Sequence, residues 1–277
     1  MSYLPEIQIV EGKNRYLVLN APDLINSEIR RSGDWGALEN CMAEWIIRDS
    51  GVPSTVLDVG ANVGTFTVNA AKCLAQIGGE IHSFEPQRIV FQQLCGNVFL
   101  NRLSNVHTHN IAVGEKCEVI EIPELSVADC PNLGGMSIDP LIRQCLDATP
   151  AIERFSATNF EQRKVSCEKR TLDSLTFDKR ISLIKIDVEG FEFEVLMGAI
   201  QTLKSHEWPT IIYEDWDFDW YAPKRQNIEF LLEELGYTIS RAHDFGIAQH
   251  STKQQHLQVV GQNPYSLEWV KSQSQSV

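Results

Sequence analysis

The sequence predicts an α/β domain built on a mostly parallel sheet, and three observations carry that prediction. Val56, Leu57, Asp58 and Val59 form an apolar run of the kind buried on both faces of a parallel sheet. The small-residue turn Gly60, Ala61, Asn62, Val63, Gly64 follows at once, and Thr65, Phe66, Val68, Ala70 and Ala71 then open a helix. The same order of strand, turn and helix returns from residue 80 and again from residue 181. Such units present a helix N-terminus to a nucleotide-like ligand.

The turn itself narrows the ligand. A dinucleotide fingerprint needs glycines spaced G-x-G-x-x-G, and reading from Gly60 gives Gly60, Asn62 and Thr65, which fails at two of three positions. The pattern present is D-x-G-x-N-x-G, with Asp58 two residues before Gly60. A carboxylate there suits a ligand carrying an ammonium group better than a pyrophosphate. S-adenosylmethionine has such a group, and its sulfonium adds a second positive charge.

Composition bounds the partners. The 277 residues suit one large domain or one domain with an appendage, and 43% hydrophobic content fills an ordinary core. With 37 acidic against 24 basic residues the net charge is −13, which disfavours a general grip on nucleic acid or on anionic membranes. The seven cysteines include no C-x-x-C pair and are odd in number, so free thiols in a reducing, cytoplasmic setting are expected, not disulfides or zinc. The segment MSYLPEIQIV has neither a basic region nor an apolar core, so neither a signal peptide nor a membrane span is expected.

The elements follow in order. Residues 1–33 read as an N-terminal extension of short strands or loops. Asp34 is expected to cap a helix over 35–49, with Trp35, Leu38, Met42, Trp45 and Ile46 as its apolar stripe and Gly51 as its stop. Such a helix either covers the cofactor or simply packs. The second strand, over 80–84, ends in Glu85 and Pro86, and a helix over 88–101 follows. The third strand, over 106–110, leads into Ile111, Ala112 and Val113. From 115 to 180 the alternation loosens into a β-rich insertion, with strands over 118–122 and 164–169, a glycine loop over 132–137 and a short helix over 172–175. An excursion of this length is usually functional and is expected to select the acceptor. The fourth strand covers 181–187, with a helix over 191–204, and the fifth covers 209–213. After a helix over 227–235, strands over 237–241 and 256–260 are expected to form an antiparallel closing pair. The main domain is thus placed at 34–265 and a polar tail at 266–277.

Ligands of open α/β sheets bind at the carboxyl ends of the strands. Asp58, Glu85, Asn110, Asp187 and Glu214 all fall at such ends. The expected layout sets Asp58 and the turn Gly60, Asn62, Gly64, with Thr65 and Phe66, near the amino-acid part of the cofactor. Glu85 and Pro86 take the ribose, and Asn110 and Ala112 border the adenine. Lys185 shares a strand face with Asp187; it either keeps nearby carboxylates ionised or forms a structural ion pair. Asp187, Glu189 and Glu214 have three competing roles: general base, ligands of a hard divalent metal, or structural caps. The base reading is favoured and no metal is assigned.

VLDVGANVGTFT, HSFEP, NIAVGE, GGMS, TLDSL and LIKIDVEGFEFEVLMGA, in this order, resemble the FkbM family of S-adenosylmethionine-dependent methyltransferases over about residues 34–215. The resemblance implies the Rossmann-like class I methyltransferase fold, a seven-stranded sheet with an antiparallel closing strand. It implies O-methylation of a sugar, a polyketide or a similar small acceptor. It carries Asp58, Gly60 and Glu85 over as cofactor contacts. Competing readings are a non-catalytic S-adenosylmethionine-binding scaffold, a nucleic-acid methyltransferase and an NAD-dependent oxidoreductase. The nucleic-acid reading is weakened because Asp187, Val188, Glu189 and Gly190 stand where base N-methylation commonly has N/D-P-P-Y/F. The expected partner is a small-molecule or glycan acceptor, without nucleic acid or membrane.

Overall fold

The computed structural model describes residues 5–21, 23–125, 135, 137–147, 163–261 and 265–271. The chain opens with an antiparallel hairpin, β1 (Ile7–Glu11) and β2 (Arg15–Leu19), and helix α1 (Leu24–Ser32), whose first turn Asp23 caps by accepting the Asn26 N–H. Tyr16, Val18 and Ile29 of this region share one core with Val63, Val68 and Val90, so residues 5–33 pack as part of the domain. Helix α2 (Ala37–Ser50) begins later than expected. Its N-cap is Gly36, and Asp34 instead accepts from its neighbour Trp35 N–H and from the Tyr16 hydroxyl.

Then come β3 (Thr55–Val59), α3 (Thr65–Ala75), β4 (Glu80–Phe84), α4 (Arg88–Leu100), β5 (Val106–His109) and the short β6 (Ala112–Val113). The insertion contributes β7 (Glu118–Pro123), α5 (Pro140–Asp147), β8 (Lys164–Arg170) and a tight turn Leu172–Ser174. β6, β8 and β7 make a small three-stranded sheet. Most of the expected glycine loop over 132–137 lies outside the described residues. β9 (Ile181–Ile186), α6 (Glu192–Met197), α7 (Ile200–Ser205), β10 (Thr210–Glu214), α8 (Ala222–Glu234), β11 (Tyr237–Ala242), β12 (Phe245–His250), β13 (Gln255–Val260) and β14 (Ser266–Lys271) complete the chain.

The central sheet has seven strands in the order β11-β12-β10-β9-β3-β4-β5. β3, β4, β5, β9 and β10 run parallel, and β12 lies antiparallel between β10 and β11. This is the Rossmann-like order expected for a class I methyltransferase. Chain order reverses between β3 and β9, which puts the ligand crevice at their carboxyl ends. The apolar runs follow from burial on both faces. Leu57, Val59, Ile184 and Ile186 face one core, while Val56, Leu183 and Ile212 face the other, each fully buried. Each such side chain contributes about 1.5–3 kcal/mol relative to exposure.

Three expectations change. The closing pair is β11 with β12, whereas β13 pairs with β14. β12 escaped notice because Gly246, Ala248 and Gln249 dilute its pattern; Gly246 is needed where the Tyr213 ring crosses, 2.1 Å from any added Cβ. Ser266–Lys271, expected in a polar tail, is a strand whose Trp269 and Leu267 pack on the core holding α2; residues 272–277 lie outside the described residues. The helix expected over 191–204 breaks at Gly198 and Ala199. There the backbone of Gly114 passes so close that a Cβ on Gly198 would lie 2.1 Å from its carbonyl oxygen. Asp173 then caps α7, its carboxylate accepting from the N–H groups of Gln201 and Thr202. Among the described residues no helix is long and apolar enough to cross a membrane.

Candidate active site

The glycine turn is built by close approach. Gly60 has φ +81°, and a Cβ there would lie 1.7 Å from the carbonyl oxygen of Asp187, so only glycine lets β9 leave the sheet beside β3. Asp187 N–H donates to the Val59 carbonyl, while Gly60 and Ala61 N–H donate to Phe84. Strands β3, β4 and β9 are thereby tied at their carboxyl ends. Gly64 caps α3 with φ +88°, against Leu94.

A cleft of about 1590 Å³ opens at this end of the sheet. Gly60, Asn62, Thr65 and Phe66 line it from the glycine turn, Glu85 and Pro86 from the end of β4, and Ala112 from β6. Lys185, Asp187, Glu189 and Glu214 line it from β9, its exit turn and β10. Three expected contacts lie elsewhere: Gly64 is not part of the lining and serves as the N-cap of α3. Asn110 donates its amide to the carbonyls of Glu85 and Pro86, holding that turn from outside the cleft lining. Asp58 is 0% exposed and sealed behind the lining. Its Oδ2 accepts from the Thr67 hydroxyl at 2.6 Å, and its Oδ1 lies 3.6 Å from Lys185 Nζ. The carboxylate of Asp58 thus faces Thr67 and Lys185.

Lys185 is the hub of the charges. Its ammonium lies 3.0 Å from Asp187 Oδ2, donates toward the Gly60 carbonyl at 3.4 Å, and sits 5.6 Å over the Phe66 ring. Burial works to lower its pKa, but Asp187 and Asp58 outweigh burial and hold the group charged. Lys185 thus pairs with Asp187 at 3.0 Å and faces Asp58 at 3.6 Å.

Glu85 is buried, and its two oxygens accept the N–H groups of Gln87 at 2.8 Å and Asn62 at 3.0 Å. Burial pushes its pKa up to about 7 against the pull of those two bonds. A carboxylate offers about four lone-pair sites, so acceptor capacity remains toward the cleft.

At the other half of the cleft, oxygens of Asp187, Glu189 and Glu214 all lie within 4.8 Å of one another. Glu189 stands in the left-handed region with φ +56°, followed by Gly190 with φ +97°. Burial first, then the neighbouring carboxylates, raise the pKa of both Glu189 and Glu214. Phe191, Trp216 and Phe218 add an apolar wall, and Trp216 packs with Ile142, Leu146 and Tyr221.

Sequence reasoning missed the residues that hold this turn. Glu192, 1% exposed, turns inward. Its Oε1 accepts from Val188 N–H at 3.2 Å and Gly190 N–H at 3.1 Å, and its Oε2 accepts from the Tyr221 hydroxyl at 2.9 Å. Lys224 donates to the Gly190 carbonyl at 2.6 Å. The available signal was an acid two residues after Gly190. Glu39 of α2 also reaches the cleft lining; its signal was an acid in the first turn of the helix before the glycine motif.

The chain is 27% identical over 255 residues to Methyltransferase sdnD of Sordaria araneosa, covering 81% of this chain and 92% of that protein. It is 27% identical over 151 residues to Methyltransferase 1 of Beauveria bassiana (strain ARSEF 2860), covering 52% of this chain and 58% of that one. Among solved structures, the FkbM methyltransferase of Methylobacillus flagellatus KT is 18% identical over 71% of this chain, with a TM-score of 0.46; the chain spans 43% of that protein's length. The FkbM methyltransferase domain matches residues 58–239, from the buried Asp58 through the Lys185 hub to β11. The chain belongs to the FkbM methyltransferase family.

Proposed function

We propose that the protein transfers a methyl group from S-adenosylmethionine to a hydroxyl of a sugar, a glycan or another small natural product. The observation that carries this reading is the division of one cleft into two chemically different halves. One half has the glycine turn and Glu85; the other has Asp187, Glu189 and Glu214 beside Phe191, Trp216 and Phe218.

The residues present fit the co-substrate. Gly60, Asn62, Thr65 and Phe66 line the cleft from the turn at the start of α3, Glu85 keeps acceptor capacity for ribose hydroxyls, and the surrounding carboxylates complement a cationic ligand. When bound, S-adenosylmethionine supplies a methyl group on a sulfonium sulfur. The chain's own task is alignment and proton removal. Lys185 holds Asp187 in place at 3.0 Å and compensates its charge. Asp187, with Glu189 beside it, orients the acceptor hydroxyl and takes its proton. An ordinary aspartate, with a pKa of about 3.9, is too weak a base to form an alkoxide beforehand, so the proton leaves as the new C–O bond forms. The aromatic wall takes the apolar face of the acceptor. The net charge of −13 favours a small-molecule acceptor over nucleic acid or an anionic membrane. The thiols of Cys41, Cys73, Cys95, Cys117 and Cys167 favour a reducing, cytoplasmic compartment.

The test is incubation of the purified protein with S-adenosylmethionine and separate panels of neutral sugars, glycosides, polyketide alcohols, amines and RNA. The expected result is S-adenosylhomocysteine release with a hydroxylated acceptor and an O-methyl product by mass spectrometry. Methylation confined to amines or RNA would overturn the reading.

A further inference from the structure

We propose that Glu39 is the carboxylate that receives the ammonium of the cofactor's amino-acid part. This rests on the S-adenosylmethionine reading above and assigns a contact outside residues 58–239, the segment matching the family domain.

The cleft poses an electrostatic problem that Glu39 solves. Asp58, which stands at the sequence position suited to an ammonium, is 0% exposed and committed to Thr67 and Lys185. Asp187 is committed to Lys185 at 3.0 Å. Glu85 accepts two backbone N–H groups at the end of β4, on the ribose side of the expected layout. Glu39 lines the cleft together with Gly60, Asn62, Lys185 and Asp187 and has no ion pair among the described residues.

Local structure holds it there. Glu39, Met42, Ala43 and Ile46 share one face of α2, and the last three are buried against Phe66, Ala70 and Leu183. That packing aims Glu39, one turn above, at the entrance to the glycine turn. Its carboxylate lies over Gly36, where a Cβ would come within 2.2 Å of Oε1. Burial raises its pKa, Lys185 lowers it, and Asp187 and Asp34 raise it, so Glu39 senses the charges of the cleft directly. A half-buried carboxylate between two acids gains from a cationic partner, and a primary ammonium of a bound ligand supplies one with three donors.

The test compares two ligands in two proteins by calorimetry. S-adenosylhomocysteine carries the amino-acid part, and 5′-methylthioadenosine lacks it while keeping the adenosine and the sulfur. Glu39→Gln should weaken S-adenosylhomocysteine by about tenfold or more, the scale of one hydrogen bond to a charged group. It should leave 5′-methylthioadenosine within about twofold. The ratio of the two affinities is read within each protein, so a general loss of folding cancels from it. An unchanged ratio overturns the assignment of Glu39. A wild type that binds neither ligand overturns the S-adenosylmethionine reading and the assignment with it. Glu39→Asp, which keeps the charge on a shorter arm, should give an intermediate ratio; a ratio equal to that of the Gln variant would count against a role for the charge.

Discussion

Asp58 and Lys185 stand opposite each other in register on β3 and β9, with Oδ1 and Nζ 3.6 Å apart and side chains 0% and 6% exposed. Asp58 Oδ1 has no hydrogen bond, so Lys185 is the charge that compensates it. Removing the lysine alone strands a buried carboxylate. Lys185→Met should therefore cost about 3–5 kcal/mol in denaturant unfolding. Adding Asp58→Asn should recover a large part of that loss, because the pair is not additive. A single variant within about 1 kcal/mol of wild type would show that the pair is dispensable.

Asp187→Asn keeps the shape and removes the charge proposed to accept the proton. With an acceptor found by the panel, turnover should fall on the order of 10²–10⁴-fold. Affinity for S-adenosylhomocysteine should stay within about threefold, a difference below 1 kcal/mol. EDTA should leave the wild type active. Loss of wild-type activity in EDTA with return on Mg²⁺, Ca²⁺ or Mn²⁺ would instead assign Asp187, Glu189 and Glu214 to a metal.

If Glu85 takes the ribose as proposed, cofactor binding should depend on pH. Its pKa is pushed up to about 7, and its ionised form is the better acceptor for ribose hydroxyls. Affinity for S-adenosylhomocysteine should thus rise between pH 6 and pH 8. Glu85→Gln should flatten that rise and weaken binding at pH 8 by about 1.5–3 kcal/mol per lost bond. Equal pH curves for the two proteins would remove Glu85 from the ribose.

Glu192 gives stability the opposite trend. Burial lifts its pKa from 4.5 to about 7, so the folded state favours the protonated form. Its contribution is fully present below pH 4.5 and is lost as pH rises through about 7. Gln is neutral throughout; its oxygen can accept the same two N–H groups and its amide can face Tyr221. Glu192→Gln should therefore gain on wild type between pH 5 and pH 8, by up to about 3 kcal/mol. Thermal melts across that range would show parallel curves if the buried charge is unimportant.

The parallel core was legible because its central strands are buried on both faces, and β3 and β9 must therefore be written as largely apolar runs. The edge of the sheet was harder. β12 spends Gly246 on the Tyr213 ring, and β13 carries the clearer strand pattern but pairs outside the central sheet. The break between α6 and α7 has no proline to announce it; its cause is the Gly114 backbone, distant in sequence. In the site, types of residue were legible but their facing was not. Asp58, expected near the amino-acid part of the cofactor, pairs with Lys185 behind the cleft lining, while Glu192, in the helix expected over 191–204, is buried beneath the exit turn of β9.

The hairpin of β1 and β2 has a consequence for how the chain is made. The amides of Arg15 and Leu17 donate to the side chains of Asn101 and Asn97, and the Gln93 amide donates to the Leu17 carbonyl. These partners lie 86, 80 and 76 residues downstream. At about 5–20 residues per second the hairpin leaves the ribosome several seconds before α4 exists. Over that interval Ile7 and Ile9, which stay half exposed even in the finished protein, have no docking surface. The hairpin is thus secured only once α4 has been made, and nascent chains halted before residue 93 should be recognised by chaperones that bind extended apolar strands.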